Sequence, residues 1–148
     1  MAELALRGLT KRFGDVTAVR ELNLEIASGE FIVLLGPSGA GKTTTLRLVA
    51  GLEHADAGQV HIGGVDVTRT APALRDVTFV FQQYSLYPHL NVFDNLAFPL
   101  RSPMRRIAED EVRRKVIEVA RLLRIEDKLA NPATKLSGGQ MQRVAIGR

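Results

Sequence analysis

Gly36-Pro37-Ser38-Gly39-Ala40-Gly41-Lys42-Thr43 sets two glycines five positions apart, then a lysine and a hydroxyl residue. This is the spacing of a phosphate-cradling loop. The glycines let the backbone turn tightly, so that successive N–H groups point inward at phosphate oxygens. The positive end of the following helix adds to the attraction. Lys42 supplies a mobile ammonium for β- and γ-phosphates, Thr43 a hydroxyl for Mg²⁺, and Thr44 a bond to a phosphate oxygen. Thr43, Thr44 and Thr45 open a helix that β-branched residues do not favour. Their hydroxyls must therefore serve something near the helix N-terminus. The loop by itself does not choose between ATP and GTP, or between an ATPase and a kinase. The Asn-Lys-x-Asp run that reads guanine in GTPases does not occur.

A second anion-binding candidate is Leu136-Ser137-Gly138-Gly139-Gln140. Two glycines behind a serine at a helix start leave bare N–H groups and a hydroxyl facing outward. An ordinary serine N-cap with a flexible glycine pair fits the same residues.

The elements that must hold these groups show in the hydrophobic pattern. Leu4 and Leu6, then Leu22, Leu24 and Ile26, alternate with polar residues and predict antiparallel strands with one buried face. Phe31–Leu35 and Val77–Phe81 are continuously apolar and predict strands buried on both faces, as in the parallel sheet of an α/β fold. A helix is expected from Gly41 to Ala50, closed by Gly51. A short one is expected from Val92 to Phe98, with Asn91 as N-cap and Pro99 as stop. A longer one is expected from Ala108 to Leu123, with Val112, Val116, Val119 and Leu123 as its apolar stripe. Acidic residues 109–111 and Arg121 and Arg124 suit its two ends, and Glu109–Arg113 and Glu111–Lys115 are spaced to pair. A last helix starts near Ser137, with Met141, Val144 and Ala145 on one face.

Composition agrees with one globular domain of 148 residues, 45% hydrophobic and 24% charged. No apolar run reaches the length of a membrane helix, and the start, Met1-Ala2-Glu3-Leu4, lacks the pattern of a signal peptide. With no cysteine, disulfides and thiolate metal sites are excluded, and His54, His61 and His89 show no ligand spacing. Net charge is +4, much of the excess lying in Arg101, Arg105, Arg106, Arg113, Arg114 and Lys115. No aromatic residues interleave with these charges, so they read as a solvated helical face, and no nucleic acid is expected.

The run Leu136–Arg148 resembles the signature of ABC-type ATPases, and its spacing after the phosphate loop matches that family. Val80-Phe81-Gln82 is similar to the family's Q-loop, and Lys11-Arg12-Phe13-Gly14 to its A-loop, whose aromatic ring stacks on adenine. Tyr84–Leu90 and Gly63–Thr68 look most like the ATPase subunits of bacterial importers, above all those that energise carbohydrate uptake. Importers of polyamines, iron or sulfate have similar segments. The resemblance implies an α/β fold: a P-loop NTPase core with an antiparallel β subdomain and an α-helical subdomain, incomplete at the C-terminus. Residues 1–148 would be a partial nucleotide-binding domain, with the β part and P-loop core in 1–82 and the Q-loop and helical subdomain in 83–148. It also implies ATP and Mg²⁺ as ligands, bound through Phe13, Gly36, Pro37, Ser38, Gly39, Ala40, Gly41, Lys42, Thr43 and Thr44. Gln82 would contact Mg²⁺ and the attacking water. Ser137, Gly138, Gly139 and Gln140 would face the ATP of a second domain paired head to tail. Gln83–Val92, with the helices up to Leu129, would receive the permease subunit, and Tyr84, Leu86 and Tyr87 suit that use, although they could simply pack locally. The expected place is the cytoplasmic face of the plasma membrane, peripherally attached. The transported solute does not touch such subunits.

The resemblance further implies an apolar strand ending in Asp-Glu, the Asp ordering Mg²⁺ and the Glu acting as general base. Phe31–Leu35 ends in Gly36 and Val77–Phe81 in Gln82, so neither supplies the pair, and the chain stops inside the signature helix. As it stands it is expected to bind nucleotide weakly, to hydrolyse it poorly and to carry an apolar sheet edge prone to association. Two other readings share the motifs: a soluble ABC-type ATPase acting on nucleic acid or ribosomes, and a non-catalytic ATP-binding module.

Overall fold

The leucine alternation near the N-terminus becomes a hairpin. In the computed structural model, β1 (Leu4–Phe13) pairs antiparallel with β2 (Val16–Ile26), Leu4 opposite Ile26 and Leu6 opposite Leu24. The structure describes residues 3–102, 105 and 107–148; Met1, Ala2 and Arg106, which entered the readings above, lie outside the described residues. The chain forms two units, Met1–Phe79 and Val80–Arg148.

In the first unit, β3 (Ala57–Ile62) adds to the free edge of β1, and the two-residue β4 (Val65–Asp66) follows, in the order β2-β1-β3-β4. Helix α1 (Lys42–Ala50) packs on this antiparallel sheet. Leu6, Leu9, Val19, Leu48, Val60 and Val67 form the core between them. Gly51 closes α1 in the left-handed conformation, as its position predicts.

The second unit is helical. Helix α2 (Val92–Ala97) starts on Asn91, whose side chain accepts the Asp94 amide at 2.7 Å. Helix α3 (Glu109–Leu122) buries Val112, Val116 and Ala120, with Val119 and Leu123 partly buried on the same core. Helix α4 (Gly138–Gly147) adds Val144 to that core. Glu111 pairs with Lys115 at 3.4 Å, as the spacing predicts. Glu109 does not pair with Arg113; it bonds Arg101, which also holds Asp94 at 2.7 Å. A guanidinium can hold two carboxylates at once, and Arg101 reaches both from outside the helix. Among the described residues no helix is long and apolar enough to cross a membrane.

The α/β class is as expected, but the two buried strands are not formed. Residues 31–35 and 77–81 have no strand assignment, and Phe31 and Leu35 are 88% and 87% exposed. Continuous apolarity specifies a strand with neighbours on both sides. Among the described residues no strand runs beside either segment, so no ladder forms.

Candidate functional site

The phosphate loop lies between residue 35 and α1 in the first unit. Gly39 and Gly41 both take positive φ, +82° and +81°. At Gly41 the requirement is twofold: a Cβ there would run into the Ala18 carbonyl oxygen and crowd Val19 of β2. The loop is thus seated on the hairpin, and only glycine fits the seat. Ala40 N–H reaches Pro37 O at 3.3 Å and closes the turn. The Lys42 ammonium folds back along the loop and donates to Gly36 O at 2.8 Å and Pro37 O at 2.7 Å. An ammonium has three protons, so one donor direction stays open to a ligand.

The threonines divide their work. Thr45 is buried, and its hydroxyl donates to Gly41 O at 3.0 Å, one turn back. It secures the helix start and does not face a ligand. Thr43 is exposed and Thr44 half-buried at the first turn. No acidic residue occupies that turn, which keeps it electropositive.

Phe13 stands at the end of β1, opposite Val16 of β2 and about half exposed. Ala18, which touches Gly41, is two residues farther along the same strand, roughly 7 Å away. Phe13 and the phosphate loop therefore both lie near the same end of the hairpin. Gln82 belongs to the second unit and sits exposed in a turn closed by Tyr84 N–H to Phe81 O at 2.9 Å.

Ser137, Gly138, Gly139 and Gln140 open α4 with a reciprocal capping box. The Gln140 amide donates to Ser137 Oγ at 3.4 Å, and the Ser137 amide to Gln140 Oε1 at 2.9 Å. So the serine is an N-cap, but the alternative use survives. Its hydroxyl accepts in the box and keeps its own proton to donate. The Gly138 and Gly139 amides are first-turn donors without intrahelical acceptors. Both glycines are exposed.

Three residues matter here whose roles the sequence motifs do not give. Arg75, 3% exposed, donates to Leu48 O (2.8 Å), Val49 O (3.0 Å), Thr68 O (3.0 Å) and Thr70 O (2.9 Å). It caps the C-terminus of α1, and burial pushes its guanidinium below the ordinary value. Asn95, fully buried, accepts from Tyr87 N–H at 2.9 Å and donates to Tyr87 O, Leu90 O and Asn91 O. It shapes the 83–92 loop, where Tyr87 packs on Phe98 and Leu86 joins the helical core. A polar residue inside the apolar stripe of α2 was the available signal. Lys11, 8% exposed, bonds Glu53 at 3.1 Å and Asp56 at 3.6 Å. Burial opposes its charge, and the two carboxylates outweigh burial, holding the ammonium above its ordinary value.

The trehalose/maltose import ATP-binding protein of Thermococcus litoralis is 50% identical over all of this chain and 41% of its own length. The osmoprotective compounds uptake ATP-binding protein of Synechocystis is 49% identical, over all of this chain and 40% of that protein. The chain spans about two fifths of the length of these curated relatives. A dimeric ATP-binding cassette solved in a post-hydrolysis state with ADP and phosphate superposes with a TM-score of 0.83, at 32% identity, over 97% of this chain and 67% of that one. A second ATP-binding cassette of an ABC transporter gives 0.83 at 27% identity, over 99% and 64%. The family model described as ABC transporter matches residues 19–148, and with a phosphate loop seated on its hairpin this chain belongs to that family.

Proposed function

We propose that this chain is the ATP-binding part of an importer's ATPase subunit. The observation that carries the reading is the seating of Gly41 on β2, which fixes the glycine loop and its lysine at the start of α1, near the end of the hairpin that carries Phe13. The residues fit a nucleoside triphosphate. Amides 38–42 would bind phosphate oxygens, Lys42 would turn its open donor to the β- and γ-phosphates, Thr44 would bond one oxygen and Phe13 would stack on adenine. Thr43 and Gln82 would hold Mg²⁺, whose charge neutralises the phosphates when bound. Gln82 would also orient the attacking water.

Ser137–Gln140 would present free amides and a hydroxyl proton to the γ-phosphate on a second domain paired head to tail. The 83–92 loop would take the permease subunit at the cytoplasmic face of the membrane, the buried Asn95 fixing its shape. The division into a β and P-loop core and a helical part follows the same reading. By itself the chain would turn ATP over slowly, since neither apolar segment ends in paired carboxylates.

Calorimetric titration with MgATP tests the reading. Lys42→Ala should weaken binding at least tenfold, the loss of a charge-assisted contact. Unchanged affinity would show that the phosphate loop does not hold the nucleotide. Robust Lys42-dependent turnover by this chain would remove the expectation of slow hydrolysis.

A further inference from the structure

Lys11 is built into the end of β1 in an unusual way. Its ammonium stands 5.1 Å from the centre of the Phe13 ring. The two residues are two apart on one strand, so alternation puts them on one face. The ammonium is itself fixed from below. Glu53 binds it at 3.1 Å and Asp56 at 3.6 Å, both from the connection between α1 and β3. Asp56 also holds the strand: its carboxylate accepts the Arg12 amide at 2.6 Å, and its own amide donates to Thr10 O at 2.9 Å. One of the β1–β2 register shifts falls here, between Lys11 and Arg12. The strand end that carries the ring is therefore clamped by the connection that directly follows the phosphate-loop helix.

We propose that Lys11 is a positioning residue for base recognition: clamped by Glu53 and Asp56, its ammonium holds one side of the Phe13 ring and leaves the exposed side to a flat purine. This rests on the reading of Phe13 as the base-stacking ring. A cation against an aromatic face attracts it and fixes its rotamer. A ring held in one rotamer loses less freedom when the base arrives. The same ammonium links the base end of the site to the segment after α1, so base and phosphate ends share one frame.

The test separates base from phosphate. The 148-residue chain is titrated with ATP and, separately, with inorganic tripolyphosphate, which carries the phosphates and no base. Lys11→Met should weaken ATP about threefold to fivefold, the size expected of one cation–ring contact, and leave tripolyphosphate within about twofold. Lys11→Arg, which keeps the charge and the ring contact, should restore ATP binding. Equal loss of both ligands would show a merely structural lysine and overturn the proposal, as would no loss of either. Phe13→Ala is the control on the underlying reading: unchanged ATP affinity there refutes the stacking role itself, whereas an ATP-selective loss there with no effect of Lys11→Met refutes only the present inference. Should Lys11→Met fail to fold, Glu53→Gln frees the ammonium more gently and should give the same ATP-selective loss. The chain has no tryptophan. Phe13→Trp therefore supplies a single indole, whose emission should shift on adding Glu53→Gln; an unchanged emission spectrum would count against the clamp.

Discussion

Replacing Arg75 by methionine tests how the phosphate-loop helix is anchored. The wild-type guanidinium serves four carbonyls: two from the last turn of α1 and two from the 68–70 turn. Methionine keeps much of the volume and removes every donor. Leu48 O would keep the Gly51 amide, 3.2 Å away, so the loss falls on Val49, Thr68 and Thr70. Each of these part-buried carbonyls, left unpaired, costs about 1–3 kcal/mol. Against this stands the relief of no longer burying a charge without a carboxylate beside it, which burial already disfavours. The net expectation is a loss of about 4 kcal/mol, a large share of the 5–15 kcal/mol that small domains possess. In urea unfolding followed by far-UV circular dichroism, a slope of about 1.5 kcal/mol/M turns this into a midpoint lower by about 2–3 M. Arg75→Lys should fall between, since an ammonium cannot span four carbonyls held at the fork of a guanidinium. The companion change is Gly51→Ala, whose Cβ would sit 2.5 Å from Arg75 Nε in a left-handed backbone, and it should be destabilising too. A midpoint for Arg75→Met within about 0.5 M of wild type would refute the cap.

Other outcomes follow from the same contacts. Ser137→Ala removes one half of the α4 capping box and should cost about 1 kcal/mol in urea unfolding. Asn95→Ala leaves the Tyr87 amide and carbonyl without their side-chain partner inside the helical unit, and should cost about 2–4 kcal/mol and speed amide exchange across 85–91. The Lys11 cluster sets a pH dependence. Its bond to Lys11 holds Glu53 below the usual carboxylate range, and the Arg12 amide, then Lys11, hold Asp56 below it. Depressed carboxylates stabilise above their unfolded values, about 4.3 and 3.9, and lose that contribution as pH falls through the folded ones. Lys11, held above its ordinary value, contributes below about 10.4 and loses that as pH rises through the folded value. The stability difference between wild type and Lys11→Met, measured by thermal unfolding, should be level from pH 6 to 9 and shrink below about pH 4.

What could be read from the sequence was what depends on neighbours along the chain. The glycine spacing gives the phosphate loop, because each glycine answers a local backbone demand. The caps at Asn91 and Ser137 and the C-cap at Gly51 answer orphan groups within three or four residues. The apolar stripe of α3 follows from helical periodicity, and the hairpin from alternation. What escaped depends on residues far apart. Arg75 meets Leu48 and Val49 across 27 and 26 positions, and Asp56 meets Arg12 across 44. An arginine in a connecting segment looks solvated until the carbonyls it serves are known. Arg101 escaped for a different reason: its partners Asp94 and Glu109 lie in two helices, while the spacing rule for Glu109 covers only one.

The apolar segments 31–35 and 77–81 make the same point from the opposite side. Their pattern was the clearest strand signal in the chain, yet neither is a strand. A helix closes its hydrogen bonds within itself, so its periodicity predicts its existence. A strand closes them on another strand, so its pattern predicts only the surroundings it needs. Phe31, Val33 and Leu35 remain largely exposed because those surroundings are not among the described residues. The phosphate loop is affected less than its position would suggest. On one side it follows an unpaired segment, but on the other it is anchored by Gly41 on β2, by Thr45 on Gly41 O, and through α1 by Arg75. Gly41 seats the loop on β2, Thr45 secures the helix start and Arg75 ties the helix end to the 68–70 turn, all within the first unit. Nucleotide binding by this chain should therefore respond more to Arg75→Met than to Phe31→Ser, compared by ATP titration. The reverse order would show that the apolar segment, and not the hairpin, sets the loop.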